Sequence, residues 1–252
     1  VQRSKIRRYI GYANSLGTNT IHFRNPWVIA WWSAAFPGYG HFTLNKFLLG
    51  FILMIWEVVV NSLSHLNEAI YLSMVGEFNE ASEVLKEQWA ILYVTVYIFA
   101  IWDSYRRTVE MNQYCVLAKR EGNHTIVKND SFFEFNNVST YKPSLALGWS
   151  LLLPGLGHLY LNRLIGVVYS IGFWLFITYQ SKYYQSFYYI LIGDLQKANA
   201  VADPQWLLFI PSVYAFFAYD AYIQAIEMNR LFKIELDVHL KKRYQDKPKL
   251  LT

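Results

Sequence analysis

Shifted by 117 positions, the chain aligns with itself without a gap, so that residues 26–113 lie on residues 143–230. Trp32-Ser33 meets Trp149-Ser150, and Leu44-Asn45-Lys46 meets Leu161-Asn162-Arg163. Gly76 meets Gly193, and Gln88-Trp89 meets Gln205-Trp206. Asp103-x-Tyr105 meets Asp220-x-Tyr222, and Glu110-Met111-Asn112 meets Glu227-Met228-Asn229. One register held over such a length marks a duplicated structural unit. The fold must therefore be one that this unit can build twice. The organisation that follows is a basic N-terminal segment (1–25), a first repeat (26–113), a linker (114–142), a second repeat (143–230) and a basic tail (231–252).

The unit is rich in apolar runs. Phe47–Val60, Trp89–Trp102, Leu164–Ile177 and Trp206–Tyr219 are the best of them. Fourteen residues cover only ~21 Å of a ~30 Å hydrocarbon core, but each run continues into weakly polar flanks. Trp89, Trp102, Trp206 and Tyr219 stand at run ends, where an aromatic belt lies. The whole chain is 54% hydrophobic, 18% aromatic and only 16% charged, against about 25% charged in soluble domains. Disorder is excluded by that apolar content, and a disulfide scaffold by the single cysteine, Cys115.

The few charges are sorted. Residues 62–88 hold one basic residue, Lys86, and residues 178–205 hold two, Lys182 and Lys197, so 20 of the 23 lie elsewhere. Placing those two segments outside satisfies the positive-inside rule and puts both termini in the cytoplasm. The basic balance then reflects contact with anionic lipid rather than nucleic acid. No apolar stretch precedes Trp27, so no secretory signal is expected. The expected location is a multi-pass position in a bacterial cell membrane.

Each repeat reads as three pieces. Piece A begins at Asn25-Pro26, a cap followed by proline in the first helical turn, and its ten-residue helix 27–36 would span only ~15 Å. It is expected to be a re-entrant or interfacial half-helix. Piece B runs from about Thr43 to Val75 and, as one helix, would be ~50 Å long. Piece C runs from Trp89 to about Gln113. The second copy follows as Pro143–Leu153, Tyr160–Ile192 and Pro204–Arg230, with a kink expected at Pro211. Lys46 and Arg163 open piece B, and Arg106 and Arg107 close the first piece C, so B crosses outward and C returns. The expected fold class is thus an all-α membrane protein of two tandem parallel repeats, each with a half-helix and two transmembrane helices.

Pro37-Gly38-Tyr39-Gly40-His41-Phe42-Thr43-Leu44-Asn45-Lys46 and Pro154-Gly155-Leu156-Gly157-His158-Leu159-Tyr160-Leu161-Asn162-Arg163 resemble the signature of the two-transmembrane-helix domain family. That signature has a Gly-x-Gly turn, a polar or His residue, an aromatic, Leu, then Gly and a basic residue. Asp103 and Asp220 resemble an Asp near the end of a downstream helix in the family. A related Pro-Gly-x-Gly-Gln-x-Tyr stretch opens some sugar permeases of bacterial binding-cassette transporters. The chain departs from the signature at Asn45 and Asn162, where Gly is common, and in its long B–C connections. The resemblance implies an integral membrane protein of unassigned activity.

The residues that could carry chemistry recur in both copies. Pro37, Gly38, Gly40, Pro154, Gly155 and Gly157 build the A–B turn, where glycine permits positive φ and close backbone approach. His41 and His158 follow it, either as hydrogen bonds pinning the turn to piece C or as a proton-relay pair. Asp103 and Asp220 are intramembrane acids and so functional hypotheses by default. Their expected partners are Lys46 or His41 in the first copy and Arg163 or His158 in the second. Arg107 adds an i+4 neighbour to Asp103, but Gln224 replaces it in the second copy, so only the cross-helix pair can be common. Glu110 and Glu227 read as solvated helix ends. Glu57, with Trp174 as its counterpart, stands in one copy only.

Three further features stay open or minor. Asn123-x-Thr125, Asn129-x-Ser131 and Asn137-x-Ser139 match the glycosylation pattern but would go unmodified in a cytoplasmic linker. Phe232–Lys241 alternates as a strand would, yet also continues a helix without a breaker. Lys241-Lys242-Arg243 reads as lipid-facing charge. No nucleophile–base set, phosphate loop or metal spacing is visible, and no cofactor is expected. The expected function is a non-enzymatic helical scaffold or partner-binding subunit, with the bilayer and another membrane subunit or transporter component as expected partners. The alternatives are a permease-like transport component with a site between the repeats, and a membrane enzyme using the His and Asp residues.

Overall fold

The structure is a computed structural model in which residues 11–13, 18–120, 126–128 and 139–245 are described. The Arg3–Arg8 basic cluster and Asn123, Asn129 and Asn137 lie outside them. The described chain is helical apart from one small sheet. Strand β1 (Gly11–Ala13) pairs antiparallel with β2 (Thr18–Thr20), Gly11 opposite Thr20, and parallel with β3 (Ile126–Lys128), Gly11 opposite Ile126. The expected helical fold class holds, with this small sheet beside the helices. Strands of three residues are too short to show the period-2 pattern that reveals a strand.

Helix α1 (Pro26–Ala35) is the first half-helix. Asn25 caps it by accepting from the Trp27 amide, and Pro26 occupies the first helical turn. The short α2 (Tyr39–Thr43) follows, then α3 (Phe47–Ser64), α4 (Leu66–Val75), α5 (Phe78–Val84) and α6 (Glu87–Arg120). Beyond β3 come α7 (Pro143–Leu152), α8 (Leu156–Tyr160), α9 (Leu164–Gln180), α10 (Tyr183–Leu191), α11 (Leu195–Val201), α12 (Pro204–Leu207) and α13 (Phe209–Leu240). A π-helical turn over Lys241–Gln245 ends the described chain.

Among the described residues, two stretches are long and apolar enough to cross a membrane, Phe47–Ser64 and Pro204–Leu240. Two bent pairs raise the number to four if each is one span. They are α5 with α6, bent by 88°, and α9 with α10, bent by 66°.

Piece B is not one long helix. It breaks after Ser64 and again after Ser181, with His65 at φ 52° and Lys182 at φ 52°. Neither site has Gly or Pro. The released backbone finds other partners instead. The Ser64 carbonyl accepts the Lys86 amide at 3.0 Å, and the Ser181 carbonyl accepts the Asp203 amide at 3.2 Å, each from the start of the returning helix. Such pairing offsets the cost of leaving helical geometry, because a buried carbonyl without a partner is costly.

Piece C is longer than expected, since nothing between Trp89 and Arg120 is Gly or Pro and α6 runs on to Arg120. Pro211 sits in the first turn of α13, and the break it causes lies one turn earlier, between Leu207 and Phe209. Its ring would clash with the carbonyl four residues back, that of Leu207. The tail question resolves toward helix, because Phe232–Leu240 continues α13.

The helices group into two compact units. One comprises Val1–Arg24, Glu110–Val168 and Ala218–Thr252; the other comprises Asn25–Val109 and Tyr169–Phe217. The first is cored by Ala146, Leu161, Ala221, Ala225 and Met228, with Tyr141 and Tyr160 packed on them. Small residues on α7 and α13 let the helix backbones come close. The second is cored by rings. Tyr39 stacks on Phe216 at 3.7 Å between centroids, Phe36 on Tyr39 at 4.5 Å, and Phe42 on Tyr169 at 5.3 Å. Part of the aromatic surplus is therefore core, where ring pairs add about 0.5–1.5 kcal/mol each beyond their burial.

Candidate functional site

The Pro-Gly-x-Gly-His stretches fold alike. Gly38 and Gly155 take φ 101° and 102°, a left-handed conformation that side chains disfavour. Gly40 and Gly157 have a different duty. A Cβ on Gly40 would stand 3.2 Å from Ser104 Cβ and closer still to Ser33 Oγ and the Ile29 carbonyl. On Gly157 it would stand 2.8 Å from Ala221 Cβ and closer still to Ser150 Oγ and the Ala146 carbonyl. The second glycine is thus where the turn presses onto the half-helix, and the repeated Trp-Ser supplies the serine it touches. Asn45 and Asn162 end the turn at φ 57° and 56°. Asn enters this region more readily than other side chains.

The turn delivers a histidine to the returning helix. His41 Nε2 lies 3.1 Å from Asp103 Oδ2, and His158 Nε2 lies 2.8 Å from Asp220 Oδ2. Of the partners expected for each Asp, histidine is the one found in both cases. Lys46 is exposed and Arg163 is buried. Nδ1 of both histidines lacks a hydrogen-bond partner, which fits the tautomer that donates from Nε2.

The two acids differ in surroundings. Asp103 is 1% exposed and also accepts from Arg106 at 2.7 Å and Arg107 at 2.5 Å. The Asp220 side chain keeps 20% exposure, and His158 is its recorded partner. Position 224, four residues on, is a buried Gln.

Glu110 and Glu227 diverge, which corrects the expectation of two solvated helix ends. Glu110 is exposed. Glu227 is 2% exposed and receives the Thr20 amide at 2.9 Å, the Thr20 hydroxyl, and Arg24 at 3.3 Å. His22 Nδ1 lies 3.5 Å away and Arg230 at 3.6 Å. The cause is a chain segment more than two hundred residues earlier, which lies over α13 and covers it. Burial pushes the His22 pKa down; Glu227 opposes that shift, and Arg24 and Arg230 reinforce it.

Two residue sets were missed as site residues. Asn112 and Asn229 appear in the sequence only as matched positions, yet each clamps a backbone. Asn112 Oδ1 accepts the Arg24 amide at 2.9 Å, and its Nδ2 donates to the Arg24 carbonyl at 2.8 Å. Asn229 does the same to Tyr141, at 2.8 Å in both directions. The clamped residues each lie two before the half-helix proline. Their recurrence 117 positions apart was the available signal.

The second set surrounds Glu57. Asn61 Nδ2 donates to Glu57 Oε1 at 3.0 Å and to Asn67 Oδ1 at 3.1 Å. Gln205 Nε2 donates to Asn61 Oδ1 at 2.8 Å. Beyond the Glu57–Asn61 pair of α3, no periodicity announces such a network, because Asn67 and Gln205 come from α4 and α12.

No protein-family model, curated protein or solved structure matches this chain.

Proposed function

We propose that the chain is an integral membrane protein acting as a helical scaffold or partner-binding subunit, without enzymatic activity. The observation that carries this reading is how its repeated acids are used. Each recurring Asp is engaged by the histidine of its own turn, as a join between pieces of one helical unit. Groups committed to such joins hold backbones in place and are not free to serve a substrate.

The same reading takes the chain as two tandem parallel repeats, related by an axis along the membrane normal, as part of the two-transmembrane-helix domain family. Support comes from the backbone. The positive-φ residues Gly38, Asn45, His65 and Gly76 have their counterparts at Gly155, Asn162, Lys182 and Gly193. Each pair is 117 positions apart. Asn at 45 and 162 also occupies a geometry that Gly, common there in the family, would accept. In this reading both termini and the linker lie in the cytoplasm of a bacterial cell, supported by 20 of the 23 basic residues falling on that side. The half-helices enter or lie on the cytoplasmic face.

The rival reading is a transport component using His41, His158, Asp103 and Asp220. It draws on the residual exposure of Asp220. Membrane abundance of Asp103→Asn and Asp220→Asn separates the two. A scaffold loses folded protein in both variants. Normal abundance with a lost cellular phenotype would instead favour transport. A reporter fused within 114–142 tests the topology, and exposure of that reporter outside the cell would overturn it.

A further inference from the structure

Glu57 lies mid-way along α3 and is 3% exposed. Its Oε1 accepts from Asn61 at 3.0 Å and from the Tyr93 hydroxyl at 3.2 Å. Its Oε2 has no hydrogen-bond partner, and among the described residues no Lys, Arg or His has an ion pair with it recorded. An ionised carboxylate with one bare oxygen at this depth is costly, because nothing replaces its lost water.

A second orphan group belongs to the same unit. Tyr39, in α2, has no exposed surface and its hydroxyl has no hydrogen-bond partner. The other titratable neighbours are committed elsewhere. Tyr97 donates to the Ala34 carbonyl at 2.7 Å, and the Tyr169 hydroxyl lies 2.9 Å from Met54 sulfur. None of these groups brings a positive charge.

The fold does not require an acid here. The positions 117 further on from Glu57, Tyr39 and Tyr93 are Trp174, Leu156 and Ile210. Trp174 is buried like Glu57. The polar set is thus a property of one segment, fixed in place by the Asn61, Asn67 and Gln205 amides.

We propose that Glu57 is a proton-binding site: its carboxylate takes up H+ on Oε2 to become a carboxylic acid. The proton removes the uncompensated charge and turns a bare acceptor into a donor. Hard divalent cations want about six or more oxygens, and two orphan oxygens do not make such a site. This inference goes beyond the scaffold reading and stands on different residues, so either can fail alone.

The test is infrared spectroscopy of the full-length protein in detergent at neutral pH. Wild type should show a protonated-carboxyl carbonyl band that shifts in D2O and is missing from Glu57→Gln. That variant should keep the wild-type unfolding midpoint, since Gln retains the acceptor and adds donors. Should Glu57→Gln fail to fold, Tyr93→Phe serves in its place and should move the band by removing the hydroxyl that donates to Oε1. Absence of the band in wild type overturns the proposal. A missing band with a midpoint raised by sodium chloride but not choline chloride would assign Oε2 to sodium instead.

Discussion

Asn112 reads the backbone of Arg24 as a neighbouring strand would, accepting its amide at 2.9 Å and donating to its carbonyl at 2.8 Å. Truncating Asn112 strands both backbone groups. Asn112→Ala should lower stability by about 1–3 kcal/mol, and Asn229→Ala by a similar amount through Tyr141. Thermal unfolding in mild detergent measures both. A cost confined to one variant would show that the two clamps are not equivalent.

Gly40→Ala and Gly157→Ala each add one methyl group where there is no room. Overpacking of this kind costs about 1–3 kcal/mol. The expected readout is reduced folded protein in the membrane fraction for both. Ser33→Gly or Ser150→Gly, combined with the matching alanine, should restore part of it by removing the nearest hydroxyl. No rescue would mean that the half-helix carbonyls, not the serines, set the limit.

Asp103 and Asp220 should not respond equally to Asn. Asp103 is fully buried and shared by His41, Arg106 and Arg107, so Asp103→Asn should cost about 3 kcal/mol. Asp220 is partly exposed with His158 as its recorded partner, and Asp220→Asn should cost about 1 kcal/mol. Comparing unfolding midpoints under identical detergent decides this, and a reversed order would contradict the burial argument.

Stability should fall in mild acid through His22. Its folded pKa lies below the ordinary value of 6.5, chiefly because burial disfavours its charged form. As pH drops through that value, the unfolded chain takes up a proton that the folded chain resists, so folding weakens. The loss levels off once pH passes the folded value. Above the ordinary value this contribution is fully present. His22→Gln should flatten that part of the pH–stability profile, and an unchanged profile would place the sensitivity elsewhere.

The local features were legible in the sequence, and the distant ones were not. Asn25-Pro26, Pro37-Gly38 and the Gly-x-Gly-His turn fall where expected, because capping and positive φ are properties of a few adjacent residues. The helix extents were only partly legible, since α1 and α7 fall where expected while α6 runs past Gln113 to Arg120. The breaks at His65 and Lys182 were hidden, since they depend on carbonyls captured by Lys86 and Asp203 rather than on Gly or Pro. The partner of Asp103 was narrowed to two residues, and only the helix register could choose His41. Glu227 was misjudged because what buries it is Thr20, Arg24 and His22, far away along the chain. The Glu57 network was hidden for the same reason.

The covering of Glu227 also sets an order of events. Thr20 and Glu227 are 207 positions apart, and the four spans proposed here lie between them. The cluster therefore closes only after α13 has been made, whereas each His–Asp pair can form within 62 residues. Joins made within a segment come first and cost little loop entropy, and the long closure follows. Residues 20–24 thus wait for α13, and their docking on it marks that this helix has been made.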